Sequence, residues 1–404
     1  MRHAAPQRRP PLRSWPNLSD PERRRAWQAL VAGLLAVSLA LVVLPRIGPN
    51  AAARAAAAPV DGGARQDGVD PSPDDAVTVS AVPDESLVTT TRGPLGSGEA
   101  VTIAFGGDAH FETYVGERLR REGSAMFASL GPLFAGSDLQ VLNLETAVTE
   151  RGTPVDKEWT FRAPPSALDA LAEAGIDAVS MANNHGIDFG EEGLADSLAA
   201  RATAPLAVLG IGADAADAYA PMVTEVRGQR IAVIGATQVL DDFLIPIWTA
   251  TDARPGLASA KEVDRLVQAV REARAVADTV VVYLHWGREK TTCPTEVQQG
   301  LAPVLLAAGA DILVGGHAHR VQGAGRLDDG FVAYGLGNFI WFNEVEADGD
   351  TGALLVTATG RRIDGYEWRP ARIRNGVATL SEGAERDAAL ARWEERRGCT
   401  GLSP

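Results

Sequence analysis

The sequence predicts a layered α/β domain that follows a membrane-anchoring segment, and three observations lead to this class. From Ala100 onward, short apolar runs of β type alternate with Ala- and Leu-rich stretches of helical spacing. Repeated units of this kind, followed by a β-rich region near the C-terminus, are typical of sheets covered by helices. Five of the six histidines fall at the ends of predicted strands, and a long uncharged run lies near the N-terminus.

The uncharged run from Ala26 to Leu44 is long enough to cross the hydrocarbon core of a bilayer as a helix. Seven of the eight arginines found up to Arg46 precede it, and the positive-inside tendency keeps such a terminus in the cytoplasm. We therefore expect a basic cytoplasmic tail at 1–25 and a single-pass transmembrane signal anchor at 26–47, with the C-terminal domain outside the cell membrane. The A-x-A sites in "NAAARAAAAP" leave the alternative that a signal peptidase cleaves the anchor and the protein is secreted.

The remainder of the chain divides by composition. Residues 48–98 are rich in Ala, Gly, Pro, Asp and Ser and lack apolar periodicity, which predicts a disordered spacer. Strand and helix patterns then alternate through 99–382, the expected folded domain. Residues 383–404 form a charged C-terminal tail with helical character.

Within the domain, apolar runs predict strands in "VTIAFGG" (101–107), "LQVLNLE" (139–145), "AVSMANNH" (178–185), "LAVLGIG" (206–212), "TVVVYLHWG" (279–287) and "DILVGGH" (311–317). Helical spacing appears in "PSALDALAEAGI", "EEGLADSLAARATA", "SAKEVDRLVQAVREARAVA" and "TEVQQGLAPVLLAAG". The segment "MVTEVRGQRIAVIGA" predicts a hairpin, and further strands are expected from Gly330 to Leu380.

Length and charge limit the classes of function. At 404 residues and 46% hydrophobic, the chain can bury a full core. The net charge is −14, and the segment up to Arg46 contributes +6, which leaves about −20 for the rest. Because nucleic acids bind through clustered Lys and Arg, we expect no nucleic-acid partner. A local cation can still hold a small anionic substrate.

The only cysteines are Cys293 and Cys399. They are compatible with one disulfide bond in an oxidising compartment. Their separation in space does not follow from the sequence, so two free thiols are the alternative.

The histidines other than His3 occupy equivalent positions, each at or just past the C-terminal end of a predicted strand. They are His110, His185, His285, His317 and His319. In α/β sheets, ligands and catalytic groups gather in the loops at these strand ends. The same ends carry Asp108, Glu145, Asn183 and Asn184, and such a mixture of imidazole, carboxylate and amide groups suits a borderline transition metal. One such histidine alone would more often be a hydrogen-bonded structural residue, but the recurrence favours a metal site.

The ordered motifs "GGDAH", "NLET", "NNHGIDFG", "HWGRE", "GGHAH" and "GLGNF" resemble those of the poly-γ-glutamate capsule biosynthesis family of CapA type, a branch of the calcineurin-like metallophosphoesterases. The similarity covers roughly residues 100–345. It implies a four-layer α/β/β/α metallophosphatase-like sandwich. It also implies two divalent metal ions, of Mn, Fe or Zn, between the carboxyl edges of the two sheets.

Carried over to this sequence, the resemblance implies two groups of metal ligands: Asp108, His110 and His319 for one ion, and Asn184, His285 and His317 for the other. Glu145 stands where such phosphoesterases place a bridging aspartate, so a longer carboxylate would bridge here. His185 would act as general acid on the leaving oxygen. Arg288 and Glu289 would contact substrate or orient ligands, and an exposed salt-bridged pair is the alternative for these two.

The implied activity is that of a membrane-anchored, outward-facing, dinuclear metal-dependent hydrolase in capsule or envelope polymer metabolism. Its substrate would be an anionic small molecule or polymer with a phosphoester or related bond. Amide hydrolysis on the same metals is a second possibility. A third is a non-catalytic component of a poly-γ-glutamate synthesis or export complex, whose site binds polymer carboxylates and whose partners are polymer synthase or export subunits.

Overall fold

The computed structural model describes residues 93–404, which belong to one compact unit. The predicted cytoplasmic tail, the transmembrane anchor and the spacer as far as residue 92 lie outside the described residues. Among the helices from residue 93 onward, none has the length and apolar character needed to cross a bilayer.

Eighteen strands and nine α-helices form within residues 93–404. The strands are β1 (Val101–Ala109), β2 (Leu139–Leu144), β3 (Ala147–Val148), β4 (Arg162–Ala163), β5 (Ala178–Ser180), β6 (Ala207–Leu209), β7 (Ile211–Gly212), β8 (Met222–Val226), β9 (Gln229–Thr237), β10 (Gly256–Leu257), β11 (Thr279–His285), β12 (Ile312–Gly316), β13 (Ala324–Leu327), β14 (Gly330–Ala333), β15 (Asn338–Ile340), β16 (Asp350–Thr359), β17 (Arg362–Arg374) and β18 (Val377–Leu380). The helices are α1 (Tyr114–Glu122), α2 (Leu130–Phe134), α3 (Ser166–Glu173), α4 (Gly190–Thr203), α5 (Ala215–Ala218), α6 (Ile245–Trp248), α7 (Val263–Val276), α8 (Glu296–Ala308) and α9 (Gly383–Arg397).

Two mixed sheets organise these strands. The first has the order β15-β18-β17-β16-β1-β2-β5-β6, and β1 runs parallel to β2 and antiparallel to β16. The second has the order β13-β14-β12-β11-β9-β8, with parallel strands at its centre and antiparallel strands at both edges. The predicted α/β class with covered sheets is therefore confirmed.

Strand β11 shows how the sequence sets the layers. Its side chains alternate between two faces, as a strand requires. Val280, Val282 and Leu284 pack with the helices α7 and α8, whereas Val281 and Tyr283 pack against the first sheet. Because both faces are covered, the strand is apolar along nearly its whole length.

The first sheet is covered in the same way, with Val141 of β2 facing the second sheet and Leu142 facing helices α1 to α4. The order of layers is thus helices, sheet, sheet and helices. This order agrees with the four-layer arrangement that the motifs imply.

The predicted helices and the hairpin of β8 and β9 are present. Helix α8 begins with a capping box between Thr295 and Gln298 and ends at Gly309, which has a positive φ of 120°. The run "LAVLGIG" differs from its prediction as one strand, because it breaks into β6 and β7 at Gly210. There φ is +77°, and a Cβ would lie 2.4 Å from that of Ala182.

The C-terminal segment is an integral part of the domain. Trp393 of α9 stacks on Trp368 of β17, with ring centroids 5.6 Å apart. Cys293 and Cys399 form a disulfide bond, so of the two alternatives open in the sequence the paired state is the one observed. The bond joins the loop after β11 to the end of α9.

Candidate metal centre

The carboxyl ends of five strands bring most of the predicted ligands together. Asp108 is near the end of β1, and the loops after β2 and β5 supply Glu145 and Asn184 from the first sheet. His285 ends β11 of the second sheet, and the loop after β12 supplies the next histidines. Parallel strands end at the same edge, so these polar groups meet between the two sheets.

The carboxylate of Glu145 lies at the centre of this cluster. Its Oε1 lies 3.5 Å from Nε2 of His285, 3.8 Å from Nε2 of His185 and 3.9 Å from Nε2 of His319. The residue is fully buried, and neither of its oxygens has a hydrogen-bond partner. Burial, together with the nearby Asp108 carboxylate, raises the pKa of Glu145 well above its usual range. A buried carboxylate without a donor is costly unless a cation compensates it.

Ligand atoms approach one another closely in three groups of side chains, within 4.8 Å in each. The groups are Glu145 with His285 and His317, Asp108 with Glu145 and His319, and Glu289 with His317 and His319. Ligands about 2.0–2.2 Å from one tetrahedral ion lie roughly 3–4 Å apart. The distances of 3.5 Å from Glu145 to His285 and 3.9 Å from Glu145 to His319 fall in this range. The donor set also fits, because imidazole and carboxylate together suit Zn, Fe or Mn. Glu145 belongs to the first two groups, which is the placement that a bridging ligand needs.

Asn143, which is held by Asn183, orients Asp108 and contacts His285. The side-chain amide of Asn143 donates to Oδ1 of Asp108 at 2.8 Å and lies 3.1 Å from Nδ1 of His285. Its oxygen accepts a bond of 3.1 Å from Asn183. On the other side of the imidazole, Nε2 of His285 lies 2.8 Å from Oδ1 of Asn184. The predicted ligands Asn184 and His285 are therefore in direct contact, and the Asn143 amide fixes their neighbour Asp108.

The "GGHAH" loop wraps closely around Asp108. His317 has a φ of 84° and His319 a φ of 49°, an uncommon conformation for side chains with a Cβ. The backbone N–H of His317 donates to Oδ2 of Asp108 at 2.9 Å. A Cβ at Gly316 would lie 2.2 Å from Oδ1 of Asp108, so glycine is needed for this approach. Nδ1 of His319 lies 2.8 Å from Oδ1 of Asn338, which leaves Nε2 to face Glu145.

Burial and charge separate the histidines by pKa. Burial lowers the pKa of His317 to about 3 and holds the pKa of His285 well below its usual value. Burial also acts to lower the pKa of His319, but the carboxylates of Glu145 and Asp108 outweigh it and raise that pKa to about 9. His285 and His317 are thus neutral near pH 7, the form that binds metals.

His185 is held by groups that sequence reasoning missed. Nδ1 of His185 lies 2.5 Å from Oδ2 of Asp188, whose other oxygen is 2.9 Å from Nζ of Lys157. The backbone N–H of Phe161 donates to Oδ2 of Asp188 at 2.7 Å. Burial lowers the pKa of His185, although Asp188 opposes the effect. Asp188 lies within the motif "NNHGIDFG", whereas no pattern in the sequence marked Lys157 or Phe161.

His110 lies among aromatic rings at the edge of the centre. It stacks on Phe161 with centroids 4.5 Å apart and meets Trp341 edge-on at 4.0 Å. Its Nδ1 accepts the backbone N–H of Glu112 at 3.1 Å, and its Nε2 is buried without a partner. Within residues 93–404, His110 belongs to none of the three groups of close ligand atoms. Its role as a metal ligand stays a prediction.

Arg288 and Glu289 are both exposed and follow β11. In the described part of the chain neither side chain forms a salt bridge, so the ion pair considered as their alternative is not observed. Glu289 shares one of the three ligand groups with His317 and His319. A role for either residue with substrate stays a prediction.

Residues 102–343 match the family model described as bacterial capsule synthesis protein PGA_cap. The "Capsule biosynthesis protein CapA" of Bacillus anthracis is 32% identical over 252 residues, which are 60% of this chain and 60% of that protein. The "PGA biosynthesis protein CapA" of Bacillus subtilis strain 168 is 30% identical over 290 residues, 69% of this chain and 75% of that protein. A "Probable polyglutamine synthesis accessory protein" of Mycobacterium tuberculosis is 29% identical over 213 residues, 50% of this chain and 56% of that protein.

Among solved structures, a hypothetical protein from Thermus thermophilus superposes with a TM-score of 0.45 at 18% identity, covering 68% of this chain and 100% of that chain. A putative 5'-nucleotidase from Staphylococcus aureus superposes with a TM-score of 0.41 at 18% identity, covering 74% of this chain and 58% of that chain.

Proposed function

The chain belongs to the bacterial capsule synthesis protein family PGA_cap, and from that premise we propose that it is a metal-dependent hydrolase. The proposed reaction is cleavage of a phosphoester or related bond during synthesis of a capsule or envelope polymer. One observation carries the proposal: the buried Glu145 carboxylate has no hydrogen-bond donor and faces the Nε2 atoms of three histidines. A pair of divalent cations would compensate that charge.

Six residues would hold the two ions with Glu145 between them: Asp108, Asn184, His285, His317, His319 and one further donor. Divalent ions in such a site polarise a phosphoryl or acyl oxygen and activate water at neutral pH. Because imidazole and amide ligands are neutral, they leave part of the positive charge of the two ions uncancelled. An anionic substrate is therefore attracted to the centre although the chain as a whole is acidic.

His185 would supply the proton for the leaving oxygen. Asp188 contacts Nδ1 of His185, and Nε2 of His185 faces Glu145. Lys157 donates to the carbonyl oxygen of Asn184 at 2.6 Å and to Asp188 at 2.9 Å, so it locks this loop in place. The exposed guanidinium of Arg288 would attract the anionic substrate from solvent.

We also propose that residues 26–47 anchor the protein in the cell membrane with the domain outside. The disulfide between Cys293 and Cys399 supports this location, because such bonds form in oxidising compartments. Polymer synthase or export subunits in the same membrane would then be its partners.

An accessory, non-catalytic role is the second candidate. Mycobacterial relatives carry the name of polyglutamine synthesis accessory proteins, and a metal centre can bind the carboxylates of a polymer. The pair of His185 and Asp188 favours hydrolysis, because binding carboxylates requires no proton donor. The same residues could serve an amide bond, so both bond types belong in the test.

The test measures metal content and turnover of the purified full-length protein. Substrates are an aryl phosphodiester, an aryl phosphomonoester and a γ-glutamyl amide, each with added Mn²⁺. We expect about two metal ions per chain and metal-dependent turnover. His185→Ala should keep the metal and lose turnover, whereas His317→Ala should lose both. Metal without any turnover would favour the accessory role, and a folded wild-type protein without metal would contradict both candidates.

A further inference from the structure

We infer that a cleft between α9 and β17 is a binding site for an oxyanion, namely a carboxylate or phosphate group. Its lining includes Arg372 of β17, Arg392, Trp393 and Arg396 of α9, and Val321 from the loop after β12, and we call it the α9 cleft. Two hydrogen-bond donors in this lining have no acceptor. The inference goes beyond the proposed hydrolytic function and does not depend on metal in the centre.

The indole N–H of Trp393 is the first of these donors. The residue is 4% exposed, and its Nε1 is buried without a hydrogen-bond partner. The ring is fixed, because it stacks on Trp368 at an interplanar angle of 11° and meets Tyr366 edge-on with centroids 6.0 Å apart. A buried donor without an acceptor destabilises a fold, since it has lost its bond to water. A group from outside the chain is therefore needed to accept this bond.

The guanidinium of Arg396, which is partly buried, is the second donor. Within residues 93–404 neither a hydrogen bond nor an ion pair to this guanidinium is present. Burial lowers the pKa of Arg396, and the charges of Arg392 and Arg320 lower it further against the opposing effect of Asp350. Arg396 is therefore repelled by two neighbouring cations, and a bound anion would relieve this repulsion.

The acidic residues of the α9 cleft do not supply the missing acceptor. Asp350 is paired with Arg372 at 2.8 Å and with Arg392 at 3.3 Å. Glu385 is paired at 2.9 Å with the arginine that ends β17. Because both carboxylates are engaged, Arg396 leaves the cleft an uncompensated positive charge, although the whole chain has a net charge of −14.

The size and walls of the α9 cleft suit a small oxyanion. Its volume is about 40 Å³, whereas one water molecule needs roughly 10–15 Å³. Apolar side chains, Val321, Trp368 and Ala389 among them, form much of the wall. Hydrogen bonds to a charged group are stronger in such surroundings than in water. The planar fork of a guanidinium matches the paired oxygens of a carboxylate or phosphate.

The α9 cleft adjoins the proposed metal centre. Val321 in its wall is two residues beyond His319, and such a stretch spans at most about 7 Å. Arg320 between them donates to the carbonyl oxygen of His319 at 2.8 Å and pairs with Asp348. The oxyanion is therefore either a separate small anion or a second anionic group of an extended substrate that also reaches the centre.

The test is calorimetric titration of the full-length protein with inorganic phosphate and, separately, with a short oligoglutamate. Excess chelator keeps metal out of the centre, so that binding through metal does not contribute. We expect saturable binding of one phosphate per chain. Arg396→Gln should weaken it by about 10- to 100-fold, the range for a hydrogen bond to a charged group. Trp393→Phe keeps the stacked ring without the N–H and should weaken it by about 10-fold.

Arg386→Gln changes an exposed arginine elsewhere on α9 and is the matched control, which should bind like wild type. Thermal denaturation checks that all three variants are folded. Tighter binding of oligoglutamate than of phosphate, lost in Arg396→Gln, would support the inference and identify a polymer carboxylate as the ligand. Tighter binding of phosphate would support it and identify a separate anion.

Two results would overturn the inference: unchanged affinity in both Arg396→Gln and Trp393→Phe, or no binding of either anion by the wild type. Water alone would then fill the α9 cleft. Because metal is excluded from the titration, both results would leave the proposed function standing.

Discussion

Nδ1 of His185 lies 2.5 Å from Oδ2 of Asp188, both residues are buried, and the ring of Phe161 stacks on His185. A carboxylate in this position keeps the ring proton on Nδ1. Nε2 is then the atom that exchanges a proton with the centre, 3.8 Å from Oε1 of Glu145. Through this contact, Asp188 sets which nitrogen of His185 carries the proton in the reaction that we propose.

Replacing Asp188 by Asn should lower turnover by about 10²-fold or more while both metal ions remain bound. The amide can no longer hold the proton on Nδ1, and general acid catalysis typically contributes about 10²–10⁴-fold. Turnover number and metal content are measured on one preparation. Asp196→Asn is the control, because that carboxylate pairs with Arg151 near the surface. Unchanged turnover in the Asp188 variant would rule out the role of the pair.

Gly316→Ala should damage the centre through contact with Asp108. The added methyl would lie 2.2 Å from Oδ1 of Asp108, so the carboxylate or the loop must move. We expect a loss of about 1–3 kcal/mol in the free energy of unfolding, as for other overpacked sites, together with weaker metal binding. Thermal denaturation and metal analysis check both effects. Gly131→Ala meets no atom within 4 Å and should leave both quantities near wild type.

The stabilisation that His317 gives the metal-free protein should be lost as the pH falls below 6.5. Burial lowers the pKa of His317 from 6.5 to about 3. The unfolded chain therefore takes up this proton at higher pH than the folded chain, and the stabilisation present above pH 6.5 is lost toward pH 3. Between pH 6.5 and roughly pH 5 the loss from this one group amounts to about 2 kcal/mol.

Urea denaturation with a chelator present, at about pH 7.5 and about pH 5, measures the effect. His317→Asn removes the titrating group. The free energy of unfolding of this variant should therefore differ less between the two pH values than that of the wild type. Equal differences for the variant and the wild type would show that His317 does not resist protonation in the folded state.

Removing the disulfide should lower the free energy of unfolding. Cys293 and Cys399 are separated by 106 residues, and closing a loop of this size stabilises a fold by about 3–5 kcal/mol in the chain-entropy account. The double replacement by Ser should lower the free energy of unfolding accordingly. A reductant should shift the wild type toward the variant and leave the variant unchanged. A variant as stable as wild type would contradict the prediction.

The strand ends and their polar residues could be predicted from the sequence, for a physical reason. Strand β11 is an apolar run because both of its faces are covered, so the first polar side chain after the run, His285, marks its end. The same logic locates Asp108 and His317, and in β2 the first such polar residue is Asn143, two positions before Glu145. Asp108 and Glu145 lie where parallel strands of the first sheet end, and His285 and His317 lie where those of the second sheet end.

Lys157 and Phe161 could not be predicted in this way. They lie between β3 and β4, in a segment with little regular structure, and their positions depend on contacts with Asp188 and His185. No period in the sequence encodes such contacts. The β-rich C-terminal region was predictable as strands, but its insertion beside β1 was not. That pairing is set by long-range packing and not by local pattern.

The pairing of β1 with β16 has a consequence for biosynthesis. Strand β1 is among the first parts of the domain to be made, whereas β16, β17 and β18 are among the last. Until β15 and β16 emerge, one edge of β1 has no neighbouring strand, and such edges invite aggregation. The first sheet can close only after β18 has been made. Asp108, near the end of β1, would therefore gain its complete surroundings only after β15 and β16 have been made.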